Sequence, residues 1–193
     1  MKGIILAGGT GSRLDPLTRV TNKHLLPVGK KTMIFHHLEL LRDQFGVKDI
    51  MIITGKENAG DFLKLLGSGS KLGVQLTYRI QDDAGGIAEA LGLCEDFAGL
   101  QKHIMVILGD NIFTGEFAPL HIQDSEAAVF LKEVPDPQRF WCPELNENKN
   151  ILRIIEKPKY PPSMFAFTGL YIYPTDVFEV VKTLKPSERG ELE

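Results

Sequence analysis

The chain contains 193 residues, of which 43% are hydrophobic and 24% are charged, a mixture typical of an ordinary globular protein. Its formal net charge of −3 argues against a general nucleic-acid binder, because no excess of Lys and Arg is available to neutralise a phosphate backbone. No run approaches the ~18 apolar residues of a membrane-spanning helix, and the first apolar run is too short for a signal peptide. We therefore expect a cytoplasmic protein with no membrane and no nucleic-acid partner.

The first two-thirds of the chain alternates short apolar runs with longer amphipathic segments. Runs rich in Ile, Val and Leu and bounded by turn residues predict strands at 3–7, 49–54, 74–79 and 104–108. Apolar residues at helical spacing predict helices at 33–44, 59–66 and 87–97. This alternation indicates an α/β fold with a mostly parallel sheet, in which ligands bind at the carboxyl ends of the strands.

The pattern changes after about residue 125. Strands are predicted at 127–132, 151–156 and 165–173, with proline-rich connections and little helix between them, and one more helix is predicted at 175–183. This part of the chain therefore indicates a mixed, partly antiparallel section that elaborates the same sheet.

A glycine-rich segment, Gly-Gly-Thr-Gly-Ser-Arg-Leu at 8–14, directly follows the first predicted strand. Glycines let successive backbone N–H groups converge on phosphate oxygens, and the cations Arg13 and Lys23 flank the segment. The segment has neither P-loop spacing nor a full dinucleotide fingerprint, since Leu14 occupies the third glycine position. Taken alone, it is also compatible with a tight structural turn.

The segment and the Lys-His-Leu-Leu-Pro element at 23–27 together resemble the sugar-1-phosphate nucleotidylyltransferase family. The resemblance implies a three-layer Rossmann-like α/β fold with a mixed, mostly parallel central sheet and helices on both faces. It implies a single domain over 1–193, with a nucleotide-binding portion at 1–125 and a sugar-binding portion at 126–193. The implied reaction joins dTTP and glucose 1-phosphate, with Mg²⁺, into dTDP-glucose and pyrophosphate.

Further segments carry the same resemblance. The loop at 81–90 resembles the family's base-recognition loop, and an amide such as Gln81 suits a pyrimidine because it offers a donor and an acceptor in one plane. Gly-Asp at 109–110 resembles the metal position, Glu-Lys-Pro at 156–158 the sugar-phosphate element, and Thr-Gly-Leu-Tyr at 168–171 a strand near the sugar. The segment 185–193 resembles the helix-to-loop segment found in the family branch that makes dTDP-glucose. Individually, each of these matches is also explained by a polar loop, a turn, a solvated strand end or a core aromatic residue.

The resemblance assigns roles residue by residue. Catalytic roles fall on Arg13, Lys23 and Lys157. Nucleotide binding falls on Leu6, Gly8, Gly9, Thr10, Gly11, Ser12, Arg13, Gln81, Gly86 and Asp110. Sugar binding falls on Asn111, Glu156, Lys157 and Tyr171, and Mg²⁺ binding falls on Asp110.

Two departures from the family pattern leave alternatives open. The chain stops at Glu193, where family members continue and supply a second metal carboxylate, so we expect the C-terminal part of the family fold to be missing and exposed apolar surface to favour a homo-oligomer. Trp141 stands where the family has a glycine close to the sugar, so the identity of the sugar is not fixed by the resemblance. The alternatives are a uridylyltransferase of the same fold and a nucleotide-binding protein without turnover.

Overall fold

The computed structural model describes residues 1–9, 11–117, 120–187 and 190–192. The chain forms two compact units: Met1–Ala127 with Ile172–Glu193, and Ala128–Tyr171. The sequence predicts one domain with a nucleotide-binding portion at 1–125 and a sugar-binding portion at 126–193, and this division stays a prediction.

The first unit contains a parallel sheet. Its strands are β1 (Lys2–Ala7), β2 (Pro27–Val28), β3 (Lys31–Thr32), β4 (Asp49–Gly55), β5 (Gln75–Gln81) and β6 (His103–Leu108). The four longer strands lie in the order β5-β4-β1-β6 and every pair among them is parallel, while β2 and β3 form a small antiparallel hairpin. The predicted α/β class with a mixed, mostly parallel central sheet is confirmed.

The core of this unit lies in its central strands. The side chains of Ile4, Ile5, Ile52 and Ile107 are all 0% exposed. Strands buried on both faces read in sequence as continuous apolar runs, which is why their positions could be predicted. The observed bounds differ from the predicted ones by one or two residues.

Most of the helices of the first unit are shorter than predicted. They are α1 (Met33–Glu39), α2 (Ala59–Leu66), α3 (Ile87–Gly92), α4 (Glu95–Ala98) and α5 (Val177–Thr183). The prediction for α2 is confirmed, whereas the helix predicted at 33–44 changes to a π turn at Leu40–Gln44 and the helix predicted at 87–97 is broken. The break follows Gly92, where a β-carbon would lie 3.2 Å from Val181 Cγ1, so glycine allows α5 to pack closely on α3.

The second unit is built from strands. They are β7 (Ala128–Glu133), β8 (Trp141–Leu145), β9 (Ile151–Glu156) and β10 (Phe165–Pro174), the last three residues of which belong to the first unit. β7 lies beside β10, and β8 and β9 pair antiparallel. Strand β8 was not predicted, because Pro143 within it argues against a strand; a two-stranded ribbon has only edge strands and tolerates the missing N–H. In the described part of the chain, no helix is long and apolar enough to cross a membrane.

Two neighbouring residues of α2 test the core. Phe62 is 0% exposed and Leu63 is 51% exposed. Phe62→Ala should lower the free energy of unfolding by about 3–5 kcal/mol, because it removes a buried ring and leaves a cavity. Leu63→Ala, the matched control, should cost about 1 kcal/mol or less. Urea unfolding measures both, and equal losses would contradict the placement of α2.

Candidate functional site

A cavity of about 350 Å³ opens at the carboxyl ends of β1, β5 and β6 in the first unit. Seven residues assigned from the sequence line it: Leu6, Gly8, Gly9, Lys23, Gln81, Gly86 and Asp110. Six further residues complete the lining: His24, Ala84, Ile87, Ala90, Leu108 and Glu191. Ligands of open parallel sheets gather at this edge, so the topology itself brings these separated segments together.

The glycine-rich loop follows the buried end of β1 at Ala7. Gly11 has a φ of 67°, and a β-carbon there would lie 2.9 Å from Thr18 Cγ2. The Thr18 hydroxyl donates to Gly11 O at 2.9 Å and fixes the turn. Ser12 and Arg13 follow in a short exposed 3₁₀ turn, while Thr10 lies outside the described residues.

Lys23 and Asp110 form an ion pair at one end of the cavity. Lys23 Nζ lies 2.7 Å from Asp110 Oδ2, and the side chains are 18% and 49% exposed. Burial acts to raise the pKa of Asp110, but the pKa is lowered overall, mainly by the hydrogen bond and the charge of Lys23. The carboxylate is therefore ionised at neutral pH and half-exposed, as a cation ligand has to be.

A buried polar network lies beneath this ion pair. Asn22 caps the turn Lys23–Leu25: its Oδ1 accepts from the backbone N–H of His24 at 2.9 Å and contacts His24 Nδ1 at 2.5 Å, and its Nδ2 donates to Ala7 O at 3.2 Å. Because Asn22 Oδ1 is an acceptor, Nδ1 of His24 carries the proton. Burial, and then the charge of Lys23, lower the pKa of His24 from 6.5 to about 3. Sequence reasoning missed Asn22, although Asn is a favoured cap before such a turn.

The close approach of β1 and β6 depends on Gly109. Its N–H donates to Leu6 O at 2.9 Å, and a β-carbon there would lie 2.8 Å from both Leu6 O and His24 Nε2. A side chain at this position would push β6 away from β1. Asn111 completes the turn, with its N–H on Leu108 O at 3.2 Å and its O accepting from His37 Nε2 at 2.8 Å.

The opposite end of the cavity is formed by the loop between β5 and α3. Gln81 ends β5 and is 9% exposed, and its Nε2 donates to Gly86 O at 3.1 Å and to Glu89 Oε2 at 2.5 Å. Leu192 pairs with the loop through backbone bonds: its N–H donates to Gly85 O at 2.7 Å and its O accepts from Ala88 N–H at 2.9 Å. Sequence reasoning missed Glu89 and the Leu192 contact.

The remaining predicted residues lie in the second unit. Lys157 Nζ lies 3.2 Å from Glu156 Oε1, and the Lys157 N–H donates to Phe140 O at 2.9 Å. Lys157 has a φ of 40°, which is uncommon outside glycine and occurs where the surroundings hold the backbone in place. Trp141 lies directly opposite Glu156 in the β8–β9 ribbon and is 43% exposed. Tyr171 is half-buried, and burial raises its pKa.

The donor set for a metal is small. Among the described residues, no three His, Cys, Asp or Glu side chains converge as a metal cluster. Asp110 supplies one ionised carboxylate in the cavity. Mg²⁺ usually binds one or two carboxylates together with substrate phosphates and waters, so a single carboxylate beside a glycine-rich loop fits that ion.

The depressed pKa of His24 predicts a pH-dependent stability. At pH values between about 3 and 6.5, the unfolded state binds a proton at His24 that the folded state does not bind. The stability that depends on a neutral His24 is therefore fully present above pH 6.5 and is lost as the pH falls. The unfolding free energy should fall by up to about 1.4 kcal/mol per pH unit from this group. Urea unfolding at pH 6.5 to about 5, above the ordinary carboxyl range, should show a flatter slope for His24→Gln than for the wild type. Parallel slopes would contradict a buried neutral His24.

Comparisons with known proteins identify the family of the chain. The family model described as nucleotidyl transferase matches residues 2–193. A glucose-1-phosphate thymidylyltransferase of Neisseria meningitidis is 44% identical over all of this chain and 68% of its own length, and one of Neisseria gonorrhoeae is 46% identical with the same coverage. A low-salt glycan biosynthesis nucleotidyltransferase of Haloferax volcanii is 39% identical and is covered over 55% of its length.

Solved structures share the fold. A Bacillus anthracis protein described as a glucose-1-phosphate thymidylyltransferase, in complex with a sucrose, superposes with a TM-score of 0.89 at 54% identity, over all of this chain and 79% of that one. A UDP-glucose pyrophosphorylase complexed with UDP-glucose superposes with a TM-score of 0.83 at 23% identity, over 99% and 82% of the two chains, which shows the fold alone. The chain therefore belongs to the nucleotidyl transferase family.

Proposed function

We propose that the chain transfers a thymidylyl group from dTTP to glucose 1-phosphate, giving dTDP-glucose and pyrophosphate. The observation that carries the proposal is the content of one cavity at the sheet edge. The Gln81 amide, the start of the glycine-rich loop and the Lys23–Asp110 ion pair all line it. Relatives named glucose-1-phosphate thymidylyltransferase, at 44% and 46% identity, support the two substrates.

The reaction needs positioning and charge stabilisation. An oxygen of the sugar 1-phosphate forms a bond to the α-phosphorus, and the bond from that phosphorus to the oxygen shared with the β-phosphate breaks. The nucleophile is already an anion, so no general base is required. The protein has to bring two mutually repelling anions into line and offset the charge on the departing pyrophosphate.

The nucleotide half of the cavity supplies the base and phosphate contacts. Gln81 and Gly86 would contact the pyrimidine, and Leu6 would line its pocket. The backbone N–H groups of Gly8, Gly9, Thr10, Gly11 and Ser12 would bind the phosphates, with Arg13 on the departing pyrophosphate. Arg13 is exposed and does not line the cavity, so its guanidinium is free to contact a triphosphate that extends along the loop.

Lys23 and Asp110 would act at the α-phosphate. Asp110 would hold Mg²⁺, which when bound offsets negative charge on phosphate oxygens. Lys23 would donate to a phosphate oxygen, and its short bond to Asp110 keeps its ammonium at the cavity wall. The Asn22–His24 network would hold this pair in place from below.

Four further residues would supply the sugar contacts. Lys157 would bind the sugar phosphate, while Asn111, Glu156 and Tyr171 would bind sugar hydroxyls. The left-handed backbone of Lys157, held by its bond to Phe140 O, supports a positioned ammonium. Trp141, opposite Glu156, would sit beside the same sugar.

The substrates are intracellular metabolites, which supports a cytoplasmic location, and exposed apolar side chains such as Leu100 support a homo-oligomer.

The assay that tests the proposal is pyrophosphate release with Mg²⁺ and glucose 1-phosphate, comparing dTTP, UTP, CTP, ATP and GTP. Release that needs both dTTP and the sugar phosphate is the expected result. Faster release with UTP would favour a uridylyltransferase, which remains open because one methyl group is worth only ~1–3 kcal/mol in a pocket. Nucleotide binding without release from any pair would contradict the transferase.

Arg13 provides the sharpest variant. Arg13→Ala should lower turnover by ~100-fold or more, because a preorganised donor at the developing charge is lost. Arg19→Ala is the matched control in the same loop, since Arg19 is exposed and bonded to Asp15 at 2.6 Å. The control should keep near wild-type turnover. Equal effects of the two changes would mean that Arg13 has no specific role.

A further inference from the structure

Helix α1 is bonded to both segments that carry the charges of the ion pair. At its start, the Met33 N–H donates to Leu26 O at 3.0 Å, directly after the turn Lys23–Leu25. One helical turn later, His37 Nε2 lies 2.8 Å from Asn111 O, directly after the other member of the pair. Residues four apart share a face of a helix, so one face of α1 contacts both segments.

The imidazole of His37 has one defined tautomer. It is 1% exposed, and burial lowers its pKa, so the ring is neutral at neutral pH. Because Asn111 O can only accept, the single proton of the neutral ring lies on Nε2, and the ring donates to this carbonyl. The other nitrogen, Nδ1, is then a bare acceptor, and it is buried with no hydrogen-bond partner among the described residues.

The bare Nδ1 makes His37 an unfavourable core residue. A buried polar atom without a partner destabilises the folded state, whereas a leucine would occupy a similar volume with no polar atom. The buried neighbours Ile34 and Leu38 of the same helix are indeed apolar. What His37 provides beyond an apolar residue is therefore the hydrogen bond from Nε2 to Asn111 O.

The turn that carries Asp110 is attached to the rest of the unit on both sides of this residue. Before it, the Gly109 N–H donates to Leu6 O at 2.9 Å. After it, Asn111 O accepts from His37. Loss of the second bond would leave the backbone on one side of the half-exposed carboxylate free to move.

We propose that His37 is a positioning residue, which acts through the Asn111 carbonyl to hold the Asp110 carboxylate where it would bind Mg²⁺. The inference rests on the proposed function, because it takes Asp110 as the metal ligand. His37 itself would bind neither the ion nor a substrate. Groups that orient a metal ligand from behind change the affinity for the metal although they make no bond to it.

The test is the effect of Mg²⁺ on dTTP binding, measured by calorimetry without a sugar phosphate so that no turnover occurs. In the wild type, Mg²⁺ should tighten binding, and the ratio of the dissociation constants without and with Mg²⁺ measures this effect. His37→Leu, which cannot donate, should lower the ratio about tenfold. It should leave the affinity for dTTP without Mg²⁺ unchanged. His37→Gln should keep the ratio, because the glutamine amide can donate to the same carbonyl.

The adjacent histidine of the same helix provides the matched control. His36 Nε2 lies 3.0 Å from Val28 O, a carbonyl of the β2–β3 hairpin that does not line the cavity. His36→Leu therefore loses a comparable contact and should leave the ratio unchanged. Thermal unfolding of His37→Leu should stay near that of the wild type, because leucine removes the bare nitrogen together with the hydrogen bond.

Several outcomes would overturn the proposal. They are an unchanged ratio in His37→Leu, an equal fall in His36→Leu, and no rescue by His37→Gln. Weaker dTTP binding with and without Mg²⁺ alike would show a merely structural role, and a wild type that does not respond to Mg²⁺ would leave no bound metal to position. A ratio that falls in His37→Leu alone, in a protein that releases no pyrophosphate, would instead count against the proposed function and leave the role of His37 standing.

Discussion

The close approach of two parallel strand ends at Gly109 is the constraint on which the site depends. The Gly109 N–H bonds to Leu6 O, and no side chain fits between them and His24. This contact brings Asp110 to the start of the glycine-rich loop, where Lys23 can pair with it. Asn22 and the neutral His24 fill the space beneath, so that the charged pair rests on a satisfied buried network rather than on unpaired polar groups.

The fold could be predicted largely from the sequence, because its central strands are buried on both faces. Such strands read as nearly continuous apolar runs, and the central residues of β1, β4 and β6 form such runs. The amphipathic period of α2 likewise gave its bounds correctly. The breaks were not predictable in this way. The chain turns after Gly92 because α5, far away in sequence, packs there, and β8 accepts Pro143 because its ribbon leaves an edge.

The candidate site was predictable where its residues lie in short motifs at the ends of predicted strands. The glycine-rich loop, Lys23, Gln81 and Asp110 all follow strands or lie in short motifs, and the parallel sheet brings them to one edge. Contacts that depend on how distant segments meet could not be read from the sequence. Leu192 pairs with Gly85 across more than a hundred residues, and Glu89 reaches Gln81 only after α3 has formed. The orientation of the Gln81 amide is a property of the folded loop.

The reverse reaction tests the central claim most directly. If the chain transfers a thymidylyl group to the sugar phosphate, it also has to catalyse the reverse reaction, because both directions cross the same transition state. Incubation with dTDP-glucose, pyrophosphate and Mg²⁺ should therefore form dTTP and glucose 1-phosphate in equal amounts, with no release of inorganic phosphate. Binding of dTDP-glucose without formation of dTTP would contradict the account, because the site would then hold the nucleotide without transferring it.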